Sequence, residues 1–140
     1  MNSNRYHILL FILIIAANIS IIRAQDNPGA MKTLIRIEDA FNSGNVDQLA
    51  EYIDSKTYFS FTSDLTGYFS YSQIYNLLKD YFEAYKPIKF GFASKSSKTN
   101  SPFGWGEYIF LRNGLRGSHK IFISLQSSDS KFYISQISIN

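Results

Sequence analysis

The sequence predicts a single α+β domain in which helices precede a curved four-stranded antiparallel sheet. Three observations indicate this order. Apolar residues recur at helical spacing as far as about Tyr85, they alternate with polar or small residues after Pro87, and Asn113-Gly114 is a strong hairpin signal. Such an order is typical of a domain whose helices cover one face of its sheet.

Two helices are predicted before the first β-prone segment. The first covers Asp26–Asn42, with Pro28 in its first turn and Gly44 just past its end. Asn45 is a suitable N-cap for a second, short helix over Val46–Ile53. Apolar residues fall on one side of both segments, so each is expected to pack that side against the sheet.

A β-prone segment and a turn separate these helices from a third one. Phenylalanine alternates with polar residues over Thr57–Ser63, and Asp64–Gly67 has the composition of a turn. Ser70 and Gln73 then form the S-x-x-Q pattern of a capping box, which predicts a helix running to about Tyr85.

The rest of the chain alternates with period two and predicts the four strands of the sheet. The polar segment Ser94–Ser101 is expected to be a loop between the first and second of them. The strands are centred on Ile88–Ala93, Phe103–Leu111, Ser118–Leu125 and Lys131–Ile139.

The first 24 residues have the pattern of a secretory signal peptide, which leaves residues 25–140 as one domain. Arg5 precedes an apolar run over Ile8–Ile22, and Ala24 is the small residue expected at the cut. Fifteen residues are too few for a comfortable membrane span, which needs about 20, although an uncleaved anchor remains the alternative. The chain contains no cysteine, which excludes a lipoprotein leader and a disulfide framework. The leader predicts export to the periplasm or secretion, and the lack of disulfides in an exported domain indicates a bacterial cell.

Charge and composition limit the kinds of partner that the protein is expected to bind. The leader holds Arg5 and Arg23 and no acid, so its removal lowers the formal net charge from +3 to +1. No basic stripe remains to favour nucleic acid, and no stable membrane span is expected after cleavage. After removal of the leader, His119 is the single histidine, and with scattered acids it does not favour a metal site. No cofactor is expected.

One cluster of polar residues is a candidate ligand site. With Asn113-Gly114 as the loop, Tyr108 faces His119. A loop over residues 127–130 would place Gln136 opposite Ile121, on the same, more apolar face. Polar groups on an apolar concave face are typical of a ligand pocket. The alternative is a set of satisfied hydrogen bonds at the end of the sheet, and no catalytic residue is assigned.

The opposite face of the sheet carries the apolar residues Trp105, Phe122, Tyr133 and Ile137. A sheet that is apolar on both faces generally needs a second cover. We therefore expect a homodimer through this outer face, while a sugar- or peptide-binding surface is the other interpretation of so many aromatic residues.

Three stretches resemble a family of small exported Bacteroidota proteins of unknown function with a nuclear-transport-factor-2-like (cystatin-like) fold. They are IEDAFNSGNVDQLAEYID (Ile37–Asp54), FSYSQIYNLLKDYF (Phe69–Phe82) and FYISQISIN (Phe132–Asn140). The resemblance implies a cone in which the curved sheet wraps a long helix, and an aromatic residue at the position of His119. It implies no reaction, because this fold hosts both enzymes and binding proteins.

Two classes of function follow. The first is a non-catalytic envelope protein that binds a small ligand or a protein partner. The second is a small isomerase, dehydratase or hydrolase that uses His119 with a carboxylate. A carboxylate within hydrogen-bond reach of His119, inside a deep pocket, would favour the enzyme.

Overall fold

The computed structural model describes residues 26–62, 64–98 and 100–140, and the predicted leader lies outside these ranges. Within them, none of the helices is long and apolar enough to cross a membrane. The elements in order are α1 (Pro28–Ser43), α2 (Val46–Ala50), β1 (Ile53–Thr62), β2 (Leu65–Ser70), α3 (Tyr71–Ala84), β3 (Lys86–Ser96), β4 (Phe103–Arg112), β5 (Leu115–Ser128) and β6 (Lys131–Ile139).

The predicted helix caps are confirmed. Asn45 caps α2 through its side chain, and Ser70 forms the capping box of α3 with Gln73. Gly44 ends α1 at φ 62°, in the left-handed region where glycine has no steric penalty. The cap of α1 is Asn27, whose side chain accepts hydrogen bonds from the next two amide groups after Pro28.

The sheet is larger than the sequence predicts. It has six strands in the order β2-β1-β6-β5-β4-β3, and it is mixed, because β1 lies parallel to β6. The predicted turn over Asp64–Gly67 is wrong, since Leu65–Ser70 is strand β2. Pairing across the strands overrides the local turn preference: the rings of Tyr58 and Tyr68 lie 5.3 Å apart, edge to face.

The hairpin between β4 and β5 is confirmed residue by residue. Asn113 and Gly114 both have positive φ, 51° and 78°, as a type I′ turn requires. Tyr108 consequently pairs with His119, and Glu107 with Lys120.

The predicted register of the last hairpin is wrong. Asp129 and Ser130 form a two-residue turn with φ of 49° and 65°, so Ser128 pairs with Lys131. The register then shifts near the middle of β6, where Ile134 and Gln136 lie opposite consecutive residues of β5.

Because of this shift, two residues lie on the face of the sheet opposite to the one predicted. Gln136 pairs with Ser124 instead of Ile121 and lies on the outer face, away from His119. Ile137 pairs with Ile123 and is fully buried in the core, so it is not part of the outer face. One extra residue in a strand is enough for this, because side chains alternate between faces with period two.

Four aromatic rings fill the space between the helices and the concave face. Phe41 of α1 lies at the centre, 5.3 Å from Phe82, 5.1 Å from Phe90 and 6.1 Å from Tyr108, measured between ring centroids. All four side chains are buried. The interior of the cone is therefore packed with aromatic side chains at this level.

Helix α1 also closes one edge of the sheet. Strand β3 is an edge strand, and Asn42 bonds both its Phe90 amide (2.7 Å) and its Phe90 carbonyl (2.6 Å). Glu38 accepts from the Phe92 amide at 2.8 Å and pairs with Lys95 at 3.2 Å. These side chains satisfy backbone groups that a neighbouring strand would otherwise bond.

We expect Asn42→Ala to lower the free energy of unfolding by about 1 to 3 kcal/mol, because it leaves two partly buried backbone groups of β3 without partners. Urea unfolding measures this loss. Asn76→Ala is the matched control, since Asn76 is exposed on α3, and it should change stability by no more than about 0.5 kcal/mol. Equal effects of the two substitutions would contradict the role given to Asn42.

Candidate functional site

Side chains from α3, β4 and β5 meet at the mouth of the cone and form a shallow groove, which we call the His119 groove. Alternation along the β4–β5 hairpin puts Phe110, Arg112 and His119 on the concave face, beside the end of α3. The groove has a volume of about 320 Å³ and is lined by Tyr85, Phe110, Arg112, Asn113, Leu115, Arg116, Gly117 and His119.

His119 lies among aromatic rings and is held by one hydrogen bond. Its Nδ1 is 2.8 Å from the Tyr81 hydroxyl oxygen, and its ring centroid is 4.6 Å from that of Phe110 and 4.9 Å from that of Tyr85. Burial, and then the nearby Arg112 guanidinium, lower the pKa of His119 below its usual value. The imidazole is therefore neutral at pH 7.

The tyrosine that contacts His119 fixes its tautomer. Burial, more than the neighbouring Tyr108 and Tyr85 hydroxyls, raises the pKa of Tyr81 far above its usual value, so this hydroxyl keeps its proton. Among the described residues, His119 Nδ1 is the hydrogen-bond partner of the buried Tyr81 hydroxyl, so a hydroxyl that only accepted here would leave its own proton unpaired. It therefore donates to Nδ1, and the neutral imidazole carries its own hydrogen on Nε2. We assign this tautomer, in which His119 offers an N–H donor at Nε2.

Tyr108 is not in the groove, although it pairs with His119. Its side chain is fully buried, and its hydroxyl donates to the Tyr85 carbonyl at 2.6 Å. Burial raises the pKa of Tyr108, so the phenol remains neutral. Tyr108 thus connects β4 to the end of α3 and supports the groove from below.

Gln136 does not join this cluster. It lies on the outer face, where its Nε2 donates to the Ser138 hydroxyl at 3.0 Å. Of the three residues predicted as a site, the structure brings Tyr108 and His119 together and leaves Gln136 on the other side of the sheet.

Arg112 is the site residue that the sequence analysis missed. Its Nη1 donates to the Tyr85 hydroxyl at 2.7 Å, and its guanidinium carbon lies 4.7 Å from the centroid of the Tyr85 ring. Within the described residues, no carboxylate lies within 4.0 Å of it. Its position two residues after Phe110 and four after Tyr108 on the concave face was the available signal.

Gly117 shapes the floor of the groove. A Cβ atom at this position would lie 2.7 Å from the Phe110 ring, so the absence of a Cβ atom gives that ring room beside β5. Phe110 is 7% exposed and forms the floor between Leu115 and His119.

The groove offers donors and aromatic surface rather than a metal site or an acid–base pair. The described ranges contain no group of three or more metal-ligating side chains. Across those same ranges, His119 contacts aromatic residues and the Tyr81 hydroxyl, and none of its partners is a carboxylate.

The outer face of the sheet keeps most of the predicted apolar residues. Trp105 is 47% exposed and pairs with Phe122, whose ring stacks on Phe103 at 5.9 Å. Tyr133 is half-buried on the same face.

The fold is shared with proteins of known structure. A DUF4783 family protein from Bacteroides uniformis ATCC 8492 is 19% identical, with a TM-score of 0.66 over 76% of this chain and 94% of that one. One from Bacteroides fragilis YCH46 is 21% identical, with a TM-score of 0.65 over 75% and 94%. A protein described as a SnoaL-like polyketide cyclase, from Jannaschia sp. CCS1, is 10% identical, with a TM-score of 0.63 over 83% and 89%.

These likenesses establish a nuclear-transport-factor-2-like α+β fold, as the resemblance noted in the sequence implies. No curated protein matches the sequence. The family model described as "Domain of unknown function (DUF4783)" matches residues 34–140, most of the chain. The protein therefore belongs to the DUF4783 family.

Proposed function

We propose that this protein is a non-catalytic binding protein of the bacterial envelope, which holds a small ligand in the His119 groove. The observation that carries the proposal is the packing of the cone. Tyr108, Phe41, Phe82 and Phe90 fill its interior, and the polar groups that remain open to a ligand lie at its mouth.

The state of His119 favours binding over catalysis. A general base needs a group that raises the basicity of the imidazole or stabilises its charged form. Here the orienting group is the Tyr81 hydroxyl, and burial together with Arg112 disfavours the imidazolium. A neutral imidazole with Nε2–H is suited to donating a hydrogen bond.

Two further parts of the proposal concern location and assembly. The leader pattern over residues 1–24 supports export, and the two Bacteroides relatives support a bacterial source. The exposed Trp105 and the half-buried Phe122 beside it support a homodimer through the outer face. Glu107 and Lys120 lie opposite each other beside that pair, so a twofold axis there would bring each of them near its opposite charge in the second copy.

The ligand site is tested with His119→Phe, which preserves a ring and removes the hydrogen-bonding groups. Thermal unfolding is followed for wild type and variant against a small-molecule library, with mass-spectrometric detection of any conversion. We expect compounds that raise the melting temperature of wild type by several degrees to lose that effect in the variant. Conversion of a compound by wild type, lost in the variant, would establish the enzyme instead.

Comparison of wild type with His119→Phe also measures how burial of His119 changes the free energy of unfolding with pH. The pKa of His119 is lowered from 6.5, so the unfolded chain binds the proton more readily than the folded one. His119 therefore contributes a loss of stability that develops as the pH falls below about 6.5. His119→Phe should be more stable relative to wild type at pH 5 than at pH 7.5, and a gap independent of pH would contradict this environment.

Export is tested on the native protein. Mass spectrometry of the envelope fraction should find a chain that begins near Gln25, because the leader is expected to be cut after Ala24. An intact Met1 on membrane-bound protein would show that the leader remains as an anchor.

The homodimer is tested by sedimentation at micromolar concentration. We expect wild type to sediment as a dimer and Trp105→Glu as a monomer, because the new carboxylate would be buried without a partner in the interface. Ile35→Glu is the control, since Ile35 is 45% exposed but lies on α1 and not on the sheet. A monomeric wild type would contradict the proposal.

A further inference from the structure

The hydrogen-bond donors at the His119 groove limit the chemical classes of ligand that can bind there. Arg112 is exposed and uses one of its five N–H groups on the Tyr85 hydroxyl. His119 uses Nδ1 on Tyr81, and within the described residues its Nε2 has no hydrogen-bond partner. Both open groups are donors, so a complementary ligand presents acceptors.

The positive charge at the groove limits the class of ligand further. The described chain holds three arginines, of which Arg36 is 4.0 Å from Asp39 while Arg112 has no carboxylate within that distance. The hollow next to the groove is lined by both Glu83 and Lys86, whose charges are opposite. Arg116 also lines the groove and, among the described residues, has no carboxylate within 4.0 Å. Two guanidinium groups without a paired carboxylate therefore remain at the groove, which suits an anion.

The floor of the groove indicates the shape of the ligand body. The rings of Tyr85 and Phe110 meet edge to face with centroids 4.9 Å apart, and the absence of a Cβ atom at Gly117 gives the Phe110 ring room beside β5. Leu115, which is 75% exposed, extends the apolar surface at the rim. A flat apolar body would bury more of this surface than a flexible polar one would.

From these observations, and resting on the proposed function, we propose that the His119 groove selects a planar aromatic carboxylate. The carboxylate accepts two hydrogen bonds from the Arg112 guanidinium and one from His119 Nε2, while the aromatic body lies against Leu115 and Tyr85 and covers the small exposed part of Phe110. The fork of an arginine matches the geometry of a carboxylate, and such charge-assisted pairs are stronger than neutral hydrogen bonds.

Calorimetric titration of the purified protein with three probes tests this inference. The probes are 1-naphthoate, its neutral analogue 1-naphthamide and the cation 1-naphthylmethylamine, which share one ring system. We expect 1-naphthoate to bind at least about tenfold more tightly than the amide, and the amine to bind least, because only the acid satisfies the guanidinium.

Variants locate the binding. Arg112→Gln should reduce 1-naphthoate affinity to that of the amide, and Arg112→Lys, which keeps the charge but loses the fork, should give an intermediate loss. Lys120→Gln is the matched control: it removes one positive charge next to His119 in sequence, but on the outer face, and should leave affinity within about twofold. Retention of folding is checked by the melting temperature of each variant.

The outcomes separate this inference from the proposed function. Equal binding of acid and amide, or unchanged affinity in Arg112→Gln, would overturn the selection of an anion while leaving a binding groove in place. No binding of 1-naphthoate at millimolar concentration would also overturn it. The proposed function itself would fail only if no library compound stabilised wild type in a manner that depends on His119, or if wild type converted a compound.

Discussion

The buried hydroxyl of Tyr108 is the constraint on which the mouth of the cone depends. Its ring is fully enclosed among the other aromatic side chains, so the hydroxyl has to find an acceptor inside the protein. It finds the carbonyl of Tyr85, the residue that ends α3, at 2.6 Å. That bond fixes the end of the helix against β4, and it thereby sets the position from which the Tyr85 side chain reaches Arg112 and His119.

The rest of the groove follows from this anchor. Tyr81 lies one helical turn before Tyr85, so it arrives on the same side of α3 and bonds His119 from within the cone. Tyr85 supplies both the ring and the hydroxyl that hold Arg112. Because aromatic rings fill the interior of the cone, the groups that could bind a ligand lie at its mouth. Arg112 and His119 lie in the same groove, where both contact Tyr85.

The sequence was informative where local chemistry decides the structure. The caps at Gly44, Asn45 and Ser70 and the Asn113-Gly114 turn were predictable, because each depends on a residue type that few others can replace. The pairing of Tyr108 with His119 followed from that turn by counting along two strands.

Other features depend on contacts between distant segments, and the sequence alone could not supply them. Strand β2 exists because Tyr68 and its neighbours pair with β1, against the turn preference of their own residues. The β5–β6 turn uses Asp129 and Ser130 at positive φ, which carry a much weaker signal than Asn-Gly. Arg112 belongs to the groove only because Tyr85 arrives beside it from 27 residues away.

The register shift in β6 has a consequence for the outer face as well as for the site. By turning Ile137 inward and Gln136 outward, it replaces an apolar side chain of that face with an amide that bonds Ser138. On β6, Tyr133 remains on that face, while Trp105 and Phe122 provide its apolar side chains on β4 and β5. A partner that packs on Trp105 and Phe122 lies on the side of the sheet opposite to the His119 groove, so both surfaces can be occupied at once.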